Sequence, residues 1–294
     1  MPSMPAQQIP AVYRRRIGDI VVTVVSDGTL TRTHEMMRNV SADEGKKHLD
    51  AAFRPAFVLS VNAFLIHHRD RLTLVETGSG NYLGPEVGRL LANLATAGVS
   101  AAEIDTVLLT HMHPDHSAGL TDMATGRPNY PNAELVCHEN EPKHWLEDDA
   151  AMARGTEREK KLMFQQAREQ IQPYKSRLRT FSRESEVVPG VRAMPLHGHT
   201  PGHCGYLIES GGESLLIWGD IVHMQEVQVP RPEVAMVVDT DPEAAAATRK
   251  RVFDMVSAER LLVTGMHLHF PGFSHVARDG ATYRLVPEPW VQAF

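Results

Sequence analysis

Apolar positions along the chain recur at two spacings, a strand-like period of two and a helical period near 3.6. Over 17–25 apolar and polar residues alternate before a β-branched run that stops at Ser26-Asp27-Gly28, which predicts a strand ending in a turn. Segments 60–67 and 71–76 predict a hairpin around His68-Arg69-Asp70. Val87, Leu90, Leu91 and Leu94 then fall at helical spacing, so 85–97 is expected to be a helix. Residues 105–110 read as a short buried strand that delivers the chain into a histidine-rich loop. Further on, 191–196, 203–208 and 214–218 read as strands, 242–258 as a helix with Asp241 as its N-cap, and 260–265 as the last buried strand. The polar stretch 139–174 predicts two helices over the mouth of a site. Many connections are hairpin-short, which disfavours a purely parallel doubly wound sheet. The expected architecture is an α/β sandwich of two mixed sheets with helices outside. No repeat, low-complexity tract or linker divides the chain, so 1–294 is expected to be one domain with a helical insertion at about 139–174.

Composition narrows the partners. The longest apolar runs, 20–25 and 214–218, fall far below the roughly 18 residues of a membrane helix, so no membrane partner is expected. Residues 1–8 carry neither a basic start with an apolar core nor a small-residue cleavage site. As written the chain reads as cytoplasmic, and as periplasmic if a leader has been trimmed. Cys137 and Cys204 lie in strand-like stretches and fit buried thiols of a reducing compartment, with a single disulfide as the alternative. A net charge of −6 argues against a nucleic-acid partner. Arg14-Arg15-Arg16 and Arg249-Lys250-Arg251 are local basic exceptions, and the second, in an alanine-rich helix, reads as a solvated face.

Histidine changes the picture most. Of 16 histidines, many crowd into 111–116, 197–203 and 267–269. On an extended backbone His111 and His113 point the same way, so both imidazoles can reach one metal ion. Beyond Pro114, Asp115 and His116 add a carboxylate and a third imidazole suited to a second ion. A polar surface turn would be the bland reading. Four such donors in six residues directly after a buried strand favour metal binding instead.

His111-x-His113-x-Asp115-His116 resembles the signature of the metallo-β-lactamase superfamily, whose fold is an αββα sandwich with its metals at one edge. Gly198-His199-Thr200-Pro201-Gly202 resembles that family's third motif, which implies His199 as a ligand beside His111 and His113. His197 and His203 compete with it. However, His203 opens a strand, and His197 lacks the Thr-Pro-Gly turn after it. Trp218-Gly219-Asp220 resembles the fourth motif and implies Asp220 as the carboxylate bridging two ions. His267 in Gly265-Met266-His267 resembles the final ligand, beside Asp115 and His116, with His269 as its competitor. Segments 13–28, 198–203 and 219–223, together with Gly84-Pro85-Glu86-Val87-Gly88-Arg89-Leu90 and Phe270-Pro271-Gly272-Phe273-Ser274-His275, look like the methyl parathion hydrolase branch, which also contains lactonases. One departure is Glu76, where aspartate is usual before Thr-Gly, and its extra methylene puts the support of the metal loop in question.

The resemblance implies two divalent ions, zinc first, with manganese, cobalt or iron as alternatives, and a homodimer. Two ions can hold a bridging hydroxide and polarise an ester-like centre, so no serine or cysteine nucleophile is needed. Asp115 would shuttle a proton after attack, and His223, three residues after Asp220, would hydrogen-bond the developing oxyanion or simply line the pocket. Leu83, Trp145, Phe164, Val237 and Val238 would line an apolar pocket for an acyl or aryl group, unless they are ordinary core. The expected activity is a lactonase or aryl esterase on small molecules, with organophosphate triester hydrolysis beside it. Alternatives are organophosphate hydrolysis as the main activity, a glyoxalase-like thioesterase, and a non-enzymatic metal scaffold. A β-lactamase is disfavoured because the Asp220 position is more often cysteine there, and an RNA-processing nuclease because no basic groove is legible.

Overall fold

The computed structural model describes residues 4, 8, 9 and 11–292, so most of the 1–8 stretch read for a leader lies outside the described residues. Two seven-stranded mixed sheets dominate, and each is laid down in sequence order. The first comprises Val12–Ile17, Ile20–Arg32, Phe57–His68, Arg71–Val75, Thr106–Leu108, Glu134–His138 and Leu178–Phe181. The second comprises Ser185–Val188, Val191–Pro195, Cys204–Ser210, Glu213–Ile217, Leu262–Thr264, Ser274–Asp279 and Thr282–Pro287. Arg71–Val75 and Thr106–Leu108 pair in parallel across a long crossover, whereas Phe57–His68 and Arg71–Val75 pair antiparallel across a short turn.

Strand periodicity explains the layering. Phe64, Ile66, Val75, Leu108 and Val136 project from the first sheet into a core shared with Ala193, Tyr206, Ile208, Leu215 and Ile217 of the second. Their neighbours Ala63, Leu65, Leu74, Val107 and Leu135 face the other way, onto Leu90, Leu94, Ile171 and Tyr174. On the far side Leu216, Trp218 and Val263 pack against Val252, Phe253 and Val256 of the helix Pro242–Ala258. Both faces of each sheet are thus covered in part by apolar residues, giving the expected αββα order. Cys137 and Cys204 are buried free thiols. No helix among the described residues is long and apolar enough to cross a membrane.

Several local expectations are corrected. Segment 17–25 is split by a turn at Gly18, and Ser26-Asp27-Gly28 is not a turn but a bulge within Ile20–Arg32. The bulge aims the buried Asp27 carboxylate away from the ladder, where it accepts hydrogen bonds from the backbone N–H groups of Ser79 (2.8 Å) and Leu90 (3.0 Å). The helix expected over 85–97 is only Leu90–Thr96, because Gly88 at φ +83° interrupts it. Residues 139–174 form a string of short helical pieces from Asn140–Pro142 to Gln166–Ile171, with two π-helical turns, rather than two helices. Two antiparallel strands with no counterpart in the sequence reading, Ser274–Asp279 and Thr282–Pro287, complete the second sheet.

The expected solvated face on the 242–258 helix is also wrong at one position. Lys250 and Arg251 are exposed, but Arg249 is 1% exposed. Its guanidinium donates to the carbonyls of Ile221, Pro232 (2.9 Å) and Val234 (2.8 Å), and burial draws its pKa down to about 10. These carbonyls belong to the loop that follows Asp220, so a helix side chain fixes the position of that loop. Replacing Arg249 with methionine should cost about 3 kcal/mol, since three buried carbonyls lose their donor. Arg251→Ala should cost less than about 0.5 kcal/mol. Urea denaturation of both variants checks this, and equal midpoints would contradict the assigned role.

Candidate metal centre

The histidine-bearing loops all leave the C-terminal ends of strands on one edge of the sandwich. Thr106–Leu108 leads into Thr110-His111-Met112-His113, where His113 is extended at φ −66°, ψ 157°. Pro114 then starts the one-turn helix Pro114–Ser117, and this change of direction carries Asp115 and His116 to a different side from His111 and His113. His199 lies between Val191–Pro195 and Cys204–Ser210, Asp220 follows Glu213–Ile217, and His267 follows Leu262–Thr264.

These residues converge on one oxygen. Asp220 Oδ2 lies 3.7 Å from His111 Nε2, 3.2 Å from His116 Nε2, 3.3 Å from His199 Nε2, 3.0 Å from His223 Nε2 and 3.2 Å from His267 Nε2. Two groups able to hold an ion flank it, His111, His113 and His199 on one side and Asp115, His116 and His267 on the other. Asp220 itself groups with His111 and His116, and also with His199 and His223.

Hydrogen bonds on the outer side of the rings decide what the inner nitrogens present. His199 Nδ1 lies 2.7 Å from Asp239 Oδ1, and His267 Nδ1 lies 2.8 Å from the Ser60 carbonyl, so each Nδ1–H donates outward. In the neutral rings Nε2 is then a bare lone pair, aimed at a carboxylate. His199 Nε2 also faces His111 Nε2 at 3.2 Å, and the nitrogens of His116, His267 Nε2 and Asp220 Oδ1 are buried without a well-formed hydrogen bond. Lone pairs crowded in this way need positive charge between them. Burial opposes a proton on His199, yet its bonds to Asp220 and Asp239 carry it up to about 9. A nitrogen-rich donor set of this kind, with outer nitrogens held by carboxylate and carbonyl, fits divalent transition metals.

His203 and His269 do other work. His203 Nδ1–H donates to the Leu196 carbonyl (2.8 Å), and its Nε2 accepts from the Asp220 backbone N–H (2.8 Å). Burial pushes it down to about 3, which keeps this tautomer neutral. It therefore positions Asp220. His269 Nε2 is 2.6 Å from Glu226 Oε1, outside the cluster, and His197 packs on His138.

Glu76 does reach the metal loop. Its backbone sits at φ +70°, its Oε1 accepts from the Thr110 N–H at 2.8 Å, and its Oε2 faces His116 Nδ1 at 3.5 Å. Two supports had no sequence signal. Asp239 is one. The other is Glu141, fully buried within the polar 139–174 stretch. Its carboxylate accepts from the N–H groups of Met112 (2.8 Å) and Gly202 (2.9 Å), from Trp145 Nε1 (2.8 Å) and from the Thr200 hydroxyl. Any Cβ at position 202 would fall 2.7 Å from the Glu141 backbone nitrogen, so only glycine fits there. One carboxylate thus ties the 110–116 loop to the 197–203 loop. A burial-only signal of this kind is invisible in a one-dimensional pattern.

A cavity of about 860 Å³ opens above the cluster, with His113, Asp115, Asp220 and His223 at its base. Leu83, Trp145, Phe164, Val237 and Val238 all line it. Of these, Trp145 and Phe164 are buried and Val237 is exposed. Trp145 stacks edge-on to His113 at 5.3 Å.

A family model described as the metallo-β-lactamase superfamily matches residues 56–280, most of both sheets and every residue of the cluster. The chain belongs to this superfamily. Among solved structures, a hydrolase of the β-lactamase superfamily called AbOPH is 30% identical, covering 97% of this chain and 100% of its own with a TM-score of 0.91. A probable metal-dependent hydrolase from Staphylococcus aureus is 25% identical over 94% of this chain and 100% of its own, with a TM-score of 0.76. AidC, a dizinc quorum-quenching lactonase in complex with a homoserine product, has the same fold at 23% identity, covering 96% and 99% with a TM-score of 0.90. No curated protein matches the sequence. At this level the chain is a metal-dependent hydrolase of the metallo-β-lactamase superfamily.

Shortening Glu76 to aspartate should detach one of its two contacts and weaken metal retention by about tenfold. Competition with a chromophoric chelator measures this, and retention equal to the parent protein would show that Glu76 does not position the loop.

Proposed function

We propose that this protein is a dinuclear lactonase and aryl esterase that also hydrolyses organophosphate triesters, as in the methyl parathion hydrolase branch. The observation that carries the reading is Asp220, set between two three-residue donor groups at the base of a largely apolar cavity. His111, His113 and His199 would hold one ion, and Asp115, His116 and His267 the other, with Asp220 shared. Imidazole-rich sites favour zinc. Bound there, two divalent ions supply Lewis acidity, polarising a carbonyl or phosphoryl oxygen and lowering the pKa of water.

The chain's own residues supply the rest. The apolar lining, Leu83, Trp145 and Phe164 among it, binds an acyl or aryl group and excludes water from the base of the cavity. Asp115, half-buried at that base, takes up a proton on this reading and passes it to a leaving alkoxide. His223 is held by its backbone N–H, which donates to Gln228 Oε1 at 2.7 Å. Burial brings its ring down to about 4, so it is neutral at working pH. Its Nε2–H, now 3.0 Å from Asp220, is the donor that a substrate oxygen at the base would meet. The dizinc lactonase likeness supports the lactone choice.

Elemental analysis should find two divalent ions per chain. Chelation should abolish turnover of homoserine lactones, aryl lactones and a phosphotriester, and added zinc should restore it. Two bound ions with no turnover of any of these, or of a thioester, would defeat the proposal. His223→Leu should lower lactone kcat by about a hundredfold at unchanged metal content, whereas unchanged turnover would remove His223 from the chemistry.

A further inference from the structure

The cavity mouth carries a charge pattern that this reading leaves unused. Arg32, at the end of the strand Ile20–Arg32, and Arg38, in the short strand Met37–Arg38, line it. Arg154 and Arg158, from the helical pieces Asp149–Arg154 and Glu157–Glu159, also line the cavity. Arg32 is half-buried and the other three are exposed, whereas His113, Asp220 and His223 at the base are buried, so the arginines mark the outer end.

Elsewhere Arg15, Arg54, Arg71, Arg168, Arg179, Arg192, Arg231 and Arg278 each have a carboxylate within ion-pair distance, while others on the surface, such as Arg89, Arg127 and Arg284, have none among the described residues. Among the described residues none of the four mouth arginines has one. Glu159 also lines the mouth and keeps its negative charge, its Oε2 accepting from the Thr156 backbone N–H at 2.7 Å. In a chain of net charge −6, four guanidinium groups without a carboxylate partner, against the single carboxylate of Glu159 at the mouth, are a local excess of the opposite sign. A cleft with apolar walls focuses such a field, and the planar guanidinium fork matches a carboxylate.

We infer that this mouth is a subsite for a carboxylate carried by the substrate far from its scissile bond. On the ester-hydrolase reading, esters and lactones whose acyl chain ends in a carboxylate are preferred over neutral-tailed ones. The apolar stretch of the cavity takes the methylene chain, and the arginines take its end.

The test compares two six-carbon esters on the metal-loaded enzyme, mono(4-nitrophenyl) adipate and 4-nitrophenyl hexanoate. The carboxylate ester should be favoured about tenfold in kcat/KM at low salt, chiefly through KM, and the ratio should shrink in about 0.5 M salt. Arg154→Gln with Arg158→Gln should collapse the ratio, and Arg154→Glu with Arg158→Glu should invert it. Equal kcat/KM for the two esters in the parent enzyme, or a preference that survives both double variants, overturns the subsite. If neither ester is hydrolysed, the esterase reading fails on its own. The subsite is then judged by calorimetric Kd values for the two intact esters, with the same tenfold criterion.

Discussion

One buried carboxylate oxygen faces five imidazole nitrogens at 3.0–3.7 Å, and the rest of the structure is arranged around that crowding. Removing Asp220 from water costs several kcal/mol unless positive charge accompanies it. The surrounding carboxylates outweigh burial and raise His116, His199 and His267, so the site draws in positive charge, whether from protons or from ions. Divalent ions supply it better, because they accept several lone pairs at once. The same constraint explains why the outer nitrogens matter. Asp239 and the Ser60 carbonyl take the Nδ1 protons of His199 and His267, and so turn their Nε2 lone pairs inward.

Those supports come from both halves of the chain. Ser60 lies in the first sheet, Glu76 directly follows one of its strands, Glu141 lies in the helical stretch before its last strand, and His203 and Asp239 lie in the second half. No single loop could hold the cluster. Burial of apolar side chains between the sheets, Phe64 and Ile66 opposite Tyr206 and Ile217 for example, brings the strand ends close enough for these bonds to form. Arg249 extends the principle to the loop after Asp220, whose carbonyls it holds from the helix behind. The hydrophobic core and the polar site are therefore one construction.

The donor residues were legible because they are local. Two imidazoles two residues apart, then a carboxylate and an imidazole after a proline, are a short-range pattern that needs no knowledge of the fold. Strands such as 203–208 and 214–218 were legible for a similar reason, since their apolar runs are continuous where both faces are buried. The bulge at Ser26-Asp27-Gly28 was not, because a turn and a bulge use the same residue types. The helix at 85–97 was overread because apolar spacing continued through Gly88, whose backbone is left-handed.

By itself the sequence determined which atoms could meet a metal, the alternation that makes two sheets, and the class of chemistry open to the chain. The tertiary structure gave the reason why one histidine of each pair joins the cluster. His203 and His269 carry the same ring as His199 and His267, but their nitrogens are spent on Leu196 and Asp220, and on Glu226. It also decided that Glu76 reaches Thr110, that Glu141 and Arg249 are buried and bonded rather than solvated, and that four distant arginines share one opening. The reason is physical. A residue's hydrogen-bond partners and its exposure to water depend on neighbours far away in the chain, and those are set only when the two sheets close on their common core.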